Sequence, residues 1–152
     1  MRKILFIILL CYGQLYALDE QSTLELFHKV FKSMTYKASN ISIYVEDKEY
    51  AEVFKKSLVL RVVNSPHGAD IIFITTRSML NKILHTRDMT KKRTRTEILF
   101  TIQYRLINES PDIPAAFYWR KGRTQLLFIR DRLLQYGITM PSEYEKFTIE
   151  KI

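Results

Sequence analysis

Apolar and polar positions along this chain switch between a helical and a strand period. Leu24, Phe27, Val30 and Phe31 recur at helical spacing and predict a first helix ending near Met34. Ser22-Thr23-Leu24-Glu25 has the capping-box pattern, in which a hydroxyl and a carboxylate satisfy free amides at a helix start. Beyond a polar turn at residues 36–40, Ile41-Ser42-Ile43-Tyr44-Val45 is a short strand, and Glu46-Asp47-Lys48-Glu49 opens a helix through Lys56. Leu58 to Val63 reads as a second strand, closed by the turn Asn64-Ser65-Pro66-His67-Gly68. Ala69 to Thr75 is a continuous apolar run, as a strand buried on both faces of a parallel sheet requires.

The second half continues the alternation. A helix is expected from Ser78 to His85, then a basic connector from Arg87 to Thr96, then the strand Glu97 to Ile102 and one or two helical turns over residues 103–108. Residues 115–120 and 124–129 flank Lys121-Gly122-Arg123, a hairpin signal. A helix from Arg130 to Tyr136 stops at Gly137, and a last short helix follows Pro141. Strands alternating with helices imply right-handed crossovers. The predicted fold is α/β, a small three-layer sandwich with a mainly parallel sheet and a C-terminal antiparallel hairpin.

The first seventeen residues change the picture. Arg2 and Lys3 precede the apolar run Ile4 to Leu10, and Leu15-Tyr16-Ala17 ends in a small residue before the polar Leu18-Asp19-Glu20. This is the pattern of a secretory signal peptide over residues 1–17, leaving a single α/β domain at 18–152 and a periplasmic address. The run falls short of the ~20 apolar residues needed to span a bilayer. Cys11 is the only cysteine, so cleavage leaves none for a disulfide, a zinc site or a thiol nucleophile. The formal charge of +8 drops by two, for Arg2 and Lys3, to +6. Such basicity suits an anionic surface, and export disfavours nucleic acid as the partner.

Catalytic signatures are scarce. The chain has no G-x-S-x-G elbow, no H-E-x-x-H, no P-loop and no dinucleotide fingerprint. His28, His67 and His85 fall on separate elements without a second histidine at i+3 or i+4, so no metal or other cofactor is expected. Two strand ends carry the candidate ligand residues. Glu46 and Asp47 follow the first strand, where a crevice at the carboxyl edge of an α/β sheet would bind a cation or accept from a ligand hydroxyl; capping of the next helix is the competing reading. Thr75, Thr76 and Arg77 follow the buried strand in the same way and offer two hydroxyls, a guanidinium and a helix start. A hydrolase built on Glu46 and Asp47 is the weakest reading, because adjacent acids point in different directions.

Partner contact has two candidate patches. Lys91, Lys92 and Arg93 belong to the densest basic cluster, together with Arg87 and Arg95, which reads as a solvated connector or, alternatively, as an electrostatic dock for an acidic partner. In Phe117-Tyr118-Trp119-Arg120, alternation puts Phe117 and Trp119 on one face and Tyr118 and Arg120 on the other. One of these pairs joins the core; the other is either plain hairpin rim, as apolar alternation alone predicts, or a contact surface, since aromatic residues and arginine dominate interface hot spots.

The order of the pieces resembles the YfiR-like family of small periplasmic proteins. The likeness is carried by the leader, the early helix, the strand ending in acidic residues and the apolar middle strand. It is carried further by Gly122-Arg123-Thr124-Gln125-Leu126-Leu127-Phe128-Ile129 followed by Leu133-Leu134-Gln135-Tyr136-Gly137-Ile138. The family's usual cysteines are missing, its paired glycine before the last hairpin is Phe117-Tyr118, and its asparagine after the last strand is Arg130-Asp131. The resemblance implies a non-enzymatic periplasmic regulator that binds the sensory domain of a membrane-bound signalling protein, such as a diguanylate cyclase. The alternative from the residues themselves is a small ligand-binding module using the strand-end crevice.

Overall fold

A computed structural model describes residues 20–90 and 96–152, apart from Gly122. Seven strands form one sheet in the order β2-β1-β3-β4-β5-β6-β7. They are β1 (Ile41–Tyr44), β2 (Leu60–Val63), β3 (Ile71–Ile74), β4 (Ile98–Thr101), β5 (Ala115–Arg120), β6 (Arg123–Ile129) and β7 (Thr148–Ile149). Every neighbouring pair is parallel except β5 and β6, the antiparallel hairpin. The helices are α1 (residues 20–35), α2 (Lys48–Lys55), α3 (Arg77–Thr90), α4 (Tyr104–Glu109) and α5 (Arg130–Gln135), with a 3-10 helix at Ser142–Phe147. The α/β sandwich expected from the sequence is the observed architecture.

Strand alternation divides the interior into two layers. On one face Phe27, Val30, Phe31 and Met34 of α1 and Phe54 of α2 pack over Ile43, Phe73, Phe100 and Phe128. On the other, Met79, Leu80 and Ile83 of α3 and Leu106 and Ile107 of α4 cover Ile72, Ile74, Leu99 and Ala116. Phe27 meets the rings of Phe31, Phe54, Phe73, Phe100 and Phe117 with centroids 5.3–6.1 Å apart. Fully burying one such ring contributes about 2–3 kcal/mol.

Several expected boundaries move, each for a visible reason. Residue 20 is already helical, so Ser22 and Glu25 lie inside α1 and do not form its capping box. The apolar stripe, packed on the sheet, holds this helix without that cap. The second strand begins at Leu60, not Leu58, because the Ser57 hydroxyl takes the amides of Val59 and Leu60 (both 2.9 Å) into a turn. The third begins at Ile71, because Asp70 turns its carboxylate onto Ser42.

The largest correction concerns Arg87. It belongs to α3, which runs past His85 to Thr90, and it donates to the Glu97 carbonyl and to the Tyr136 hydroxyl (3.3 Å) while lying 3.7 Å from the Asp112 carboxylate. It is therefore a structural pin, not part of a solvated basic connector. Lys91, Lys92, Arg93 and Arg95 lie outside the described residues. At the other end, α5 stops at Gly137, whose φ of +71° is the left-handed conformation that glycine adopts without strain. The short parallel strand β7 was not expected.

Candidate functional site

The strand order β2-β1-β3-β4-β5 reverses direction between β1 and β3, because the chain steps from β1 outward to β2 and then back past it to β3. In open parallel sheets such a switch opens a crevice beyond the carboxyl ends of the two strands. Glu46 and Asp47 follow β1, and Thr75, Thr76 and Arg77 follow β3, so the fold brings the five candidate ligand residues to one edge of the sheet.

The side chains of Glu46, Asp47, Thr76 and Arg77 are engaged within the fold, and Thr75 is held through its carbonyl. Glu46 Oε1 accepts from Lys82 Nζ at 2.8 Å and from the Tyr44 hydroxyl at 2.9 Å. The Lys82 bond chiefly holds this carboxyl below its ordinary value, against the opposing effect of burial, and Tyr44 adds to it. Asp47 caps α2, its Oδ1 accepting from the amides of Glu49 (2.9 Å) and Tyr50 (3.1 Å). Thr76 plays the same part for α3, with Oγ1 accepting from the Met79 amide at 3.2 Å. Arg77 grips Glu109 through Nε (2.7 Å) and a second, parallel bond. Thr75 is buried, and its carbonyl accepts from Gln103 Nε2. The crevice thus carries mixed charge that is largely neutralised in place.

The hairpin arrives at the same edge. β5 pairs with β4 only at Ala115 and Ala116, and β6 pairs with β7 only at Phe128 and Ile129. Residues 117–120 and 123–126 therefore continue as a two-stranded ribbon, reaching about 13 Å past the last β4–β5 pair. An isolated ribbon is marginal in water. Here Phe117 anchors one side on Phe27 (5.3 Å), and Tyr118 stacks obliquely on Tyr104 of α4 (4.9 Å) on the other. So each face contributes its inner aromatic residue to the body, whereas the sequence expectation assigned a whole face to it. The outer pair stays in solvent: Trp119 is 71% exposed and Arg120 is exposed.

Across the ribbon Arg120 is the direct partner of Arg123, with Lys121 in the turn at a φ of +51°. Arg105, at the start of α4, is exposed nearby on the same edge. None of these four cations has an ion-pair partner among the described residues. Tyr104 and Arg105 were missed in the sequence; their position directly after an apolar strand was the available signal.

A pocket of about 520 Å³ lies elsewhere, between the first turns of α1 and the α2–β2 turn, lined by Leu24, His28, Val53, Ser57 and Leu58 among others. None of the nominated residues lines it. His28 is in α1, His67 in the β2–β3 loop and His85 in α3, and no cluster of three or more potential metal ligands occurs among the described residues. No helix among the described residues is long and apolar enough to cross a membrane. No protein-family model matches the chain, and no curated protein matches it at a significant level.

Proposed function

We propose that this protein is an exported, non-enzymatic periplasmic binding protein that regulates a membrane-bound signalling protein by direct contact through the carboxyl edge of its sheet. One contrast carries this reading. The side chains of Glu46, Asp47, Thr76 and Arg77 are committed to partners within the fold, whereas Tyr104, Arg105, Tyr118 and Arg120 form an aromatic and arginine surface whose cations have no ion-pair partner among the described residues. That composition is the one enriched at protein-contact hot spots. The leader-like first seventeen residues and the resemblance to YfiR-like proteins supply the compartment and the class of partner.

The test is affinity capture from detergent-solubilised membranes of the native host. The wild-type chain is expected to recover one membrane protein carrying a sensory domain, and Arg105→Glu/Arg120→Glu to lose it while Arg61→Glu, on β2 at the far edge, retains it. Equal recovery by the double variant would overturn the reading. A second reading, a small ligand-binding module, is favoured by one observation, the position of Glu46 and Thr76 at the topological switch point. It requires a small molecule in native mass spectra of the purified protein that Glu46→Gln releases.

A further inference from the structure

We propose that the tip of the β5–β6 hairpin is a bilayer-contacting element, with Trp119 seated in the headgroup region of an anionic membrane and Arg120, Lys121 and Arg123 on the lipid phosphates. The proposal goes beyond the partner reading, with which it shares Arg120, and its test contains lipid but no protein partner.

Three observations combine. First, among the described residues no strand pairs beside the tip, so it can enter a surface end-on without disturbing the sheet. Secondly, it concentrates three cations around one turn, and two of them, Arg120 and Arg123, are direct cross-strand partners. Like charges placed opposite each other weaken a hairpin. No carboxylate offsets them among the described residues, so a bound anion is what would relieve the repulsion. Thirdly, Trp119 occupies the opposite face of the same tip and is 71% exposed, although its neighbour Phe117 is packed on the core. A tryptophan flanked by lysine and arginine at the end of a projection matches the chemistry of the membrane interface, where an indole sits among headgroups and cations meet phosphates.

Other occupants fit less well. A second copy would bring two cationic tips together. A nucleic acid needs cations spaced along a track that follows its backbone, and these converge on one point.

The experiment exploits a property of the sequence: Trp119 is the only tryptophan in the chain, so indole emission reports from the tip alone. The purified protein is titrated with vesicles of phosphatidylcholine, with and without about 30 mol% phosphatidylglycerol. Emission is expected to move to shorter wavelength and to become shielded from acrylamide only with the anionic vesicles, and to revert as salt screens the contact. Lys121→Gln/Arg123→Gln should weaken partitioning about 30-fold, at roughly 1 kcal/mol for each cation near an anionic surface. Both side chains are on exposed positions, and an unchanged circular dichroism spectrum checks that the variant is folded.

An unshifted emission with anionic vesicles would overturn the proposal and leave the tip as a protein contact. Equal binding to both vesicle types, or undiminished binding by the double variant, would overturn it as well. So would a shift produced by glycerol phosphate in solution without vesicles, which would indicate a site for a free anion.

Discussion

His28 Nε2 lies 2.6 Å from Ser57 Oγ, and the same oxygen accepts from the amides of Val59 and Leu60 at 2.9 Å. With both lone pairs engaged, Ser57 has only its proton to offer, so it donates to an unprotonated imidazole nitrogen. This arrangement joins α1 to the α2–β2 turn.

Protonation of His28 should therefore loosen that joint. Burial, and then the charge of Lys32, lower its pKa below the ordinary 6.5, against a raising effect from Glu25. Glu20 and Lys56, paired at 2.8 Å, also line the pocket it faces. With the folded value below the unfolded one, the stabilisation is fully present above pH 6.5 and is lost as pH falls through the folded pKa. As pH falls from about 7.5 through the folded pKa, the His28 contribution, about 1 kcal/mol, should be lost, and His28→Gln should abolish that part of the pH dependence. Urea unfolding of both proteins over a descending pH series checks it; parallel losses would refute it.

Asp70 locks the amino ends of β1 and β3. Its Oδ2 accepts from the Ser42 amide (2.8 Å) and hydroxyl (2.9 Å), its own amide donates to Ser42 Oγ (2.9 Å), and Lys37 Nζ contacts both carboxylate oxygens at 2.7 and 2.8 Å. Burial alone would raise this carboxyl, but the bonds from Lys37 and Ser42 outweigh it and hold the pKa below 3.8. Its stabilisation is present above that pH and is lost as pH falls through the lower folded value. Asp70→Ala leaves the Ser42 amide without this acceptor and should cost about 2–3 kcal/mol in urea unfolding at neutral pH. A loss below about 0.5 kcal/mol, the level of an ordinary surface substitution, would contradict this.

Arg132 serves the loop after α4. One guanidinium nitrogen donates to the carbonyls of Ile107 (2.8 Å), Ser110 (3.0 Å) and Ile113 (3.0 Å). Burial lowers its pKa, with Asp112 opposing, yet an arginine remains charged at any working pH. Arg132→Met keeps the aliphatic stem and should cost about 2–3 kcal/mol by orphaning these acceptors. Hydrogen exchange at residues 107–113 should accelerate in the variant; unchanged protection there would argue that water replaces the guanidinium.

Phe27 and Trp119 make a contrasting pair. Phe27→Ala opens a hole between five rings and should cost about 3–5 kcal/mol. Trp119→Ala removes a larger side chain from solvent and should change stability by no more than about 0.5 kcal/mol. Thermal denaturation of the two variants checks both expectations, and a large loss for Trp119→Ala would mean that the indole serves the fold.

The layers were readable in the sequence because the strongest apolar runs, Ile71 to Ile74 and Ile98 to Thr101, are buried on both faces and leave no room for another reading. Boundaries were legible where side chains follow local rules, as with Asp47 capping α2. They failed where a distant partner decides: Arg87 is polar by type but is held by residues far along the chain, and Ser57 shortens a strand with a hydroxyl. The two-residue β7 has no signal of its own, since it exists only by pairing with Phe128 and Ile129. For the candidate surface, alternation placed Phe117, Tyr118, Trp119 and Arg120 on their faces correctly. Where the ribbon leaves the body is a matter of β4 ending early and β7 starting late, which no local pattern encodes.

The strand order also bears on how the chain is made. Only β5 and β6 are joined by a tight turn, and every other neighbouring pair must wait for a helix or long loop to close. Non-local parallel pairing of this kind is slow, because loop-closure entropy is lost before the contacts that offset it form. The stripe of α1 is synthesised first, yet Phe73, Phe100 and Phe117, which receive Phe27, emerge much later. During vectorial emergence the apolar stripe of α1 thus waits uncovered until the ribbon that will one day project from the sheet has itself appeared.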